Sequence, residues 1–320
     1  MNPLRQSELK KSHRERNLAY AALWISLFLW GLQAPGGRYL SLAGVPILGV
    51  MAVRFWIGFL CFGIYLFITG KFDFSLKVYW KEILFLFSGG LFLNAVTYHY
   101  GLKFIPATLA MLVENLAPFF VFLFALLFDK NKASKLEISL LVFSFSGLVF
   151  IVAGKGGLTL TSRDFYWGVT LELIAALTWG LYIYLSAKLL KGFSAHKGYF
   201  GIINLLFLLM GLSALAGTPF LFTLIETPFR IRLTWPQFWI ILEMGIGQTF
   251  LAYILWNHAL AKLPSTRVSI LFYMTVVFTI INEMVFLGFR LNPILIIGAC
   301  VIMGSAVFLT LKKETVMVPD

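Results

Sequence analysis

Long apolar runs separated by short polar segments dominate the chain. A transmembrane helix needs about 20 mostly apolar residues, and ten runs supply them, at roughly 18–36, 45–69, 82–103, 106–128, 136–154, 166–187, 198–217, 236–260, 265–287 and 292–311. Pro106 and Pro264 mark the breaks in the two most tightly joined pairs, because proline suits the start of a helix, where its missing N–H would be unpaired anyway. The pattern predicts an all-α membrane protein of ten transmembrane helices.

Composition supports lipid as the solvent. Of the 320 residues, 60% are hydrophobic and 12% are charged, whereas soluble domains average about 45–50% apolar and 25% charged residues. The longest hydrophilic stretches are 1–17 and 218–235. We therefore expect no soluble domain, and any chemistry must occur within or at the edge of the membrane.

The basic residues set the expected orientation. If the N-terminus lies inside, 18 of the 26 Lys and Arg residues fall in inside segments, seven fall outside, and Arg54 lies within a helix. This bias places both termini in the cytoplasm and predicts a multi-pass protein of the plasma (bacterial inner) membrane. The net charge of +12 then reflects topology and contact with membrane lipid. It does not indicate nucleic acid, whose binders gather basic residues on a continuous soluble face.

No metal site or disulfide is expected. Cys61 and Cys300 both lie in apolar runs, outside any CxxC or Cys/His cluster. His99 and His258 end two helices, but no third ligand is spaced to join them.

An internal repeat relates the two halves of the chain. HYGLKFIPATLAML at 99–112 aligns with NHALAKLPSTRVSI at 257–270, and the Trp30-Gly31 pair of the first helix matches Trp179-Gly180 of the sixth. Five helices per copy would turn the second copy upside down relative to the first. Such inverted repeats place a substrate site near the midplane between the halves and imply alternating access.

The predicted organisation follows directly from this repeat. It comprises a cytoplasmic N-terminal arm, two five-helix repeats and a cytoplasmic tail, at 1–17, 18–154, 166–312 and 313–320.

These features resemble the EamA-type members of the drug/metabolite transporter superfamily. The resemblance rests on the two Trp-Gly pairs, "AVRFW" around Arg54, "YHYGLKFIPATLAML" leading into "ENLAPFF", "LWNHALAKLPSTRVSIL", and Gly147 and Gly304 in the helices that close each half. It covers roughly 18–312. It implies ten helices in two inverted repeats, transport of amino acids, related metabolites or drugs, often as export, and no bound cofactor.

Charged groups within a bilayer are costly and need a partner or a water-filled cavity. Arg54 and Glu114 lie roughly 12–14 Å below the outer ends of their helices, at 1.5 Å per residue. We predict that they face the central cavity, where they bind the carboxylate and ammonium of a zwitterion or exchange partners during the cycle. The alternative is a structural ion pair that fastens helices two and four.

Three glutamates lie nearer the outer surface, at Glu172, Glu243 and Glu283. They are candidates for an acidic vestibule or for proton coupling, which would make protons a partner. Residues this close to the interface can also snorkel to water.

Several uncharged residues are candidates for binding a small amphipathic cargo, because pockets are mainly apolar with few polar anchors. They are Asn94, Tyr98, Trp30, Gln33, Trp179 and Gln248. Packing or anchoring at the membrane interface is the alternative role of the aromatic residues, and we leave Tyr182, Tyr184 and Tyr273 to packing.

Two other functions compete with metabolite transport. An intramembrane enzyme would need a pattern such as HExxH or GxSxG, and neither occurs in the sequence. A sugar-phosphate or nucleotide-sugar exchanger would need several cations in its cavity, whereas Arg54 is the one intramembrane Lys or Arg against four glutamates. This balance favours a neutral, zwitterionic or cationic cargo.

Overall fold

A computed structural model describes residues 3–101, 104, 110, 113–129, 135–154, 163–196, 198–225, 233–287 and 293–311. Within these ranges all regular secondary structure is helical, as the apolar pattern predicts. The principal helices are α1 (Pro3–Gly31), α2 (Gln33–Leu42), α3 (Ile47–Thr69), α4 (Trp80–Gly101), α5 (Ala117–Asp129), α6 (Lys135–Gly154), α7 (Arg163–His196), α8 (Gly198–Ile225), α9 (Trp235–Lys262), α10 (Ser265–Leu271), α11 (Met274–Leu287) and α12 (Pro293–Leu311).

Seven helical stretches of the described chain are long and apolar enough to cross a membrane. They are His13–Gly37, Ile47–Thr69, Trp80–Gly101, Phe165–Lys191, Tyr199–Leu224, Trp235–Lys262 and Ser265–Asn282. Three shorter apolar stretches, Ala117–Asp129, Ile138–Gly147 and Ile296–Ser305, correspond to parts of the predicted fourth, fifth and tenth spans. The count of ten spans stays a prediction.

Helix packing repeats between the two halves. In the first half, α1 packs against α9 and α11 of the second; correspondingly, α7 of the second half packs against α4 and α5 of the first. Two further pairs join counterpart helices of the two halves, α3 with α8 and α6 with α12. Exchanging the halves therefore reproduces the pattern of contacts, as expected for two copies of one unit.

The α4 and α9 helices change to π-helical geometry at equivalent places. The π segments are Leu86–Phe92 and Met244–Leu251, which begin equally far before Pro106 and Pro264. Both contain a glycine in close contact with a neighbouring helix. A Cβ on Gly90 would lie 3.2 Å from the Tyr182 Cβ, and one on Gly245 would lie 2.5 Å from the Ile57 Cγ2. π segments leave backbone groups displaced from the regular ladder and often mark functional sites.

The predicted fourth and ninth helices are each interrupted by a turn. Turns occur at Asn115-Leu116 and at Phe272-Tyr273, one residue out of register in the repeat alignment. Pro118 accounts for the first break, since proline removes an N–H and is accommodated at least cost in the first turn of a helix. At the second break, the Thr275 hydroxyl donates to the Phe272 carbonyl oxygen at 2.6 Å and so occupies a backbone acceptor near the turn.

Three predicted boundaries also differ from the observed ones. The first helix ends at Gly31 and resumes at Gln33, so that Pro35 lies in the first turn of α2, where its missing N–H costs little. The N-terminal arm is helical from Pro3 and continues into the first span. The segment predicted as a loop from 218 is helical to Ile225, with Pro219 inside α8.

Candidate substrate cavity

A cavity of about 80 Å³ lies where helices of both halves meet. Its lining comes from α1 to α4 and the residues just before α5 in the first half, and from α7, α9, α11 and the turn between α10 and α11 in the second. The lining residues are Trp30, Gln33, Arg54, Phe55, Asn94, Ala95, Tyr98, His99, Glu114, Asn115, Trp179, Tyr253, Phe272, Thr275 and Thr279. Seven of the eight predicted binding residues are in this set, and Gln248 is the exception.

A second, larger cavity of about 450 Å³ has a different character. It lies between α3, α8 and α9, and its lining is wholly apolar, including Val50, Ile57, Leu224 and Phe238. A polar cargo needs a few placed polar anchors. The smaller, polar cavity is therefore the candidate site.

Aromatic rings form one wall of the polar cavity. The Trp30 ring centroid lies 5.5 Å from that of Trp179 and 5.3 Å from that of Tyr253, and the Phe272 centroid lies 5.9 Å from that of Trp179. Fully buried Trp256 packs behind them, 5.0 Å from Trp30. Such a wall offers apolar contact to a side chain and ring faces to an ammonium group.

Arg54 is the cationic anchor of the cavity. The residue is 5% exposed, and its Nε–H donates to the Thr249 hydroxyl oxygen at 2.9 Å. That hydroxyl in turn donates to the Met244 carbonyl oxygen at 2.8 Å, five residues earlier in the π segment of α9. The π geometry thus positions the group that orients the guanidinium.

Glu114 is the anionic lining group. It lies just before the turn that interrupts the fourth predicted helix, beside the side-chain amide of Asn94. Among the described residues, no nitrogen–oxygen distance within 4 Å joins Arg54 to Glu114, although ion pairs of that kind join Lys188 to Asp129 and Lys262 to Glu15. The alternative, a structural ion pair between Arg54 and Glu114, is therefore not formed in this conformation, and both groups are available to a bound cargo.

Two predicted binding residues also connect helices. The Asn94 amide donates to the Ala175 carbonyl oxygen of α7 at 2.9 Å. The Trp30 indole N–H donates to the Gln248 carbonyl oxygen at 3.0 Å, whereas the indole nitrogen of Trp179 has no hydrogen-bond partner within the described chain. Trp30 is thus fixed to α9, while Trp179 keeps a donor for another acceptor.

The three predicted coupling glutamates occupy different environments. Glu172 is fully buried on α7, and a Cβ at Gly101 would lie 2.6 Å from its Oε1. The Gln248 side-chain amide donates a hydrogen bond to Glu243 at 2.6 Å. Gln248 is not among the residues that line the cavity. The Glu283 side chain lies outside the described residues.

His99 lines the cavity but is occupied by its own helix. Its Nδ1 lies 2.6 Å from the Ala95 carbonyl oxygen, and a carbonyl can only accept, so Nδ1 carries the proton. Among the described residues, no three His, Cys, Asp or Glu side chains are grouped to hold a metal ion.

Sequence reasoning missed several lining residues that the repeat could have revealed. Tyr253 is the repeat counterpart of Ala95, and Phe272 is the counterpart of Glu114, and all four line the cavity. Thr249 gave no signal, because its role depends on the π geometry of α9. The lining thus includes equivalent positions of both copies. At one of them the first copy has a carboxylate, Glu114, and the second has an aromatic ring, Phe272.

Comparisons with known proteins agree with this architecture. Two transporters of Archaeoglobus fulgidus, each described as uncharacterized, are 27% identical over 252 residues, covering 74% of this chain and 82% of the relative, and 25% identical over 258 residues, covering 77% and 83%. A solved crystal structure matches with a TM-score of 0.71 at 20% identity, covering 90% of this chain and 95% of that one. The likeness to the crystal structure shows the fold alone.

Two packed helical repeats around a shared polar cavity define a membrane transporter, embedded as an integral, multi-pass protein. The chain belongs to the EamA-like transporter family, whose model matches it twice, at residues 17–153 and 166–311. The resemblance inferred from the Trp-Gly pairs and the junction motifs is confirmed, and with it the two-repeat architecture.

Proposed function

We propose that this transporter moves small polar metabolites, most specifically amino acids or related zwitterions, out of the cell by alternating access through the cavity. The observation that supports this cargo is the separation of Arg54 from Glu114. One cation and one carboxylate line the same cavity without pairing to each other. These groups match the carboxylate and ammonium of a zwitterion, with the aromatic wall facing its side chain.

The charge of the lining disfavours the alternative cargo. A sugar phosphate or nucleotide sugar carries two or more negative charges, and phosphate recognition usually uses several cations. Arg54 is the only Lys or Arg among the described lining residues, and Glu114 would repel a phosphate.

The duplicated helix breaks support alternating access. Interrupted helices at the interface of two repeats are typical of transporters whose site lies at the midplane. Here turns occur within one residue of equivalent positions, at Asn115-Leu116 and Phe272-Tyr273, and both contribute lining residues. We propose that ten helices cross the cytoplasmic membrane as two inverted copies, and that exchange of their conformations opens the cavity to each side in turn.

Uptake into proteoliposomes tests the cargo. Radiolabelled amino acids and metabolites are offered one at a time to wild-type protein and to Arg54→Ala, Glu114→Ala and Lys262→Ala. Lys262 forms an exposed ion pair with Glu15, so its variant is a matched loss of one charge outside the cavity. We expect uptake of at least one zwitterion, about 10- to 100-fold weaker apparent affinity in the two cavity variants, and no change in the control. Unchanged rate and affinity in both cavity variants would reject the assignment of the site.

A further inference from the structure

Glu172 occupies a position that gives its carboxyl group no contact with water. The residue is 0% exposed on α7, where it packs against the end of α4. A Cβ on Gly101 would lie 2.6 Å from Glu172 Oε1 and 3.1 Å from its Cδ. The missing side chain of Gly101 therefore provides the space that the carboxyl group fills.

Neither oxygen of this carboxyl group has a hydrogen-bond partner among the described residues. An ionised carboxylate buried in a membrane protein without a partner is strongly disfavoured, whereas a neutral carboxylic acid avoids most of that cost. The surroundings of Glu172 in this conformation are those of a group that carries a proton.

Two titratable groups of the described chain face Glu172 from the neighbouring helices. Glu114, just before α5, is near enough for the two carboxylates to repel each other when both are ionised, and Tyr98 of α4 is near both carboxyl groups and Arg54. Lys103, two residues after Gly101, lies outside the described residues. Tyr98 and Glu114 line the cavity and Glu172 does not, so Glu172 lies one layer behind the cargo site.

We propose that Glu172 is the proton-binding group that couples this transporter to a proton gradient, a role that rests on the proposed function. Without cargo, the two carboxyl groups hold one proton, on Glu172. When cargo binds, the O–H bond of Glu172 breaks, an O–H bond forms on the Glu114 carboxylate, directly or through the Tyr98 hydroxyl, and Glu114 passes the proton to water in the cavity. The ammonium group of the cargo then compensates the charge of both carboxylates. Release of the cargo returns a proton to Glu172 by the same route, so proton and cargo exclude each other and the cycle exchanges one for the other.

Proteoliposomes separate coupling from transport. The probe is a tritiated mixture of the twenty protein amino acids. The first measurement is exchange with equal amino-acid concentrations on both sides. The second is accumulation inside vesicles whose lumen is one pH unit more acidic than the outside, with the membrane potential clamped at zero. One proton per cargo allows about tenfold accumulation in the wild type. In Glu172→Gln, which keeps the shape but cannot release a proton, we expect exchange to persist and accumulation to fall to about the external concentration.

Glycine variants check that the effect arises at this position. Gly101→Ala pushes a methyl group into the Glu172 carboxyl and should lower the accumulation ratio, with no further loss when combined with Glu172→Gln. The control is Gly89→Ala in the same helix, where a Cβ would meet its nearest neighbour at an ordinary 3.7 Å. It should behave as the wild type.

Each contrary outcome has a distinct meaning. Absence of exchange in the wild type rejects amino-acid transport itself and the coupling role with it. Exchange without any response to the pH gradient, or full accumulation in a folded Glu172→Gln, overturns the coupling role alone. Accumulation driven by a sodium gradient at equal pH, lost in Glu172→Gln, would assign the residue to sodium and likewise overturn it.

Discussion

The indole rings of Trp30 and Trp179 pack edge to face, with their centroids 5.5 Å apart and their planes at 77°. The two residues are repeat counterparts. Each precedes a glycine that contacts a helix of the other half. A Cβ on Gly31 would lie 2.6 Å from the Phe278 Cβ, and one on Gly180 would lie 2.7 Å from the Phe120 Cβ. The matching contacts place both indoles at the junction of the halves, on the wall of the cavity.

Replacing each indole by a phenyl ring should affect the two residues differently. Trp30→Phe loses the hydrogen bond to the Gln248 carbonyl, whereas Trp179→Phe removes an indole N–H that has no partner in the described chain. Since the lost volume is the same, we expect Trp30→Phe to lower the free energy of unfolding by about 1 kcal/mol more. Thermal and denaturant unfolding in one detergent would measure the difference. Equal losses would mean that Trp179 has a hydrogen-bond acceptor after all.

Thr249 should control cargo affinity through Arg54. Thr249→Val removes the acceptor of the Arg54 Nε–H, whereas Thr249→Ser keeps a hydroxyl at the same place. We expect about tenfold weaker apparent affinity in Thr249→Val and less than about twofold change in Thr249→Ser. Concentration-dependent uptake provides the measurement.

Thr218 provides the matched control for this test. Its hydroxyl accepts from the Trp56 indole at 3.2 Å and donates to the Ala214 carbonyl oxygen at 2.9 Å, outside the cavity. Thr218→Val should lower stability without changing affinity. If it weakens cargo binding as much as Thr249→Val, the effect is general loosening of the helix bundle.

Gly147 and Gly304, which lie in the helices that close the two halves, should respond differently to alanine. A Cβ on Gly147 would lie 2.8 Å from the Gly298 carbonyl oxygen and 2.9 Å from the Ile302 Cγ1, while one on Gly304 would meet nothing within 4 Å. Gly147→Ala must push α6 from α12 and should cost about 1–3 kcal/mol. Gly304→Ala should be neutral or stabilising by up to about 1 kcal/mol, as alanine favours helix. Melting temperatures of the two variants test this, and a reversed order would contradict the observed packing.

Both termini are predicted to lie in the cytoplasm. Two ion pairs agree with the relative assignment of the segments, because Lys262–Glu15 and Lys188–Asp129 each join residues that the charge bias assigns to one side. Fusion of a fluorescent protein to the C-terminus should give fluorescent cells, and fusion of alkaline phosphatase should give inactive enzyme. The opposite pair of results would invert the topology.

The cargo site was only partly predictable from the sequence. Arg54 and Glu114 stand out because charges in apolar runs are costly, and both line the cavity. Gln248 was misplaced because its position in an apolar stretch could not show that its side chain bonds Glu243 of the same helix. Tyr253 and Phe272 were predictable from the repeat, because they are the counterparts of Ala95 and Glu114 in the first half.

The sequence by itself determined the lipid-solvated helices, their division into two related halves and the family, because span length, apolar content and repeated junction motifs are local properties of the chain. Tertiary structure decided which groups meet. Side chains far apart in sequence, such as Arg54 and Thr249 or Glu172 and Gly101, acquire their roles only when helices pack. Such contacts depend on local departures from regular helix, at the π segments and at the paired breaks, which periodicity does not encode.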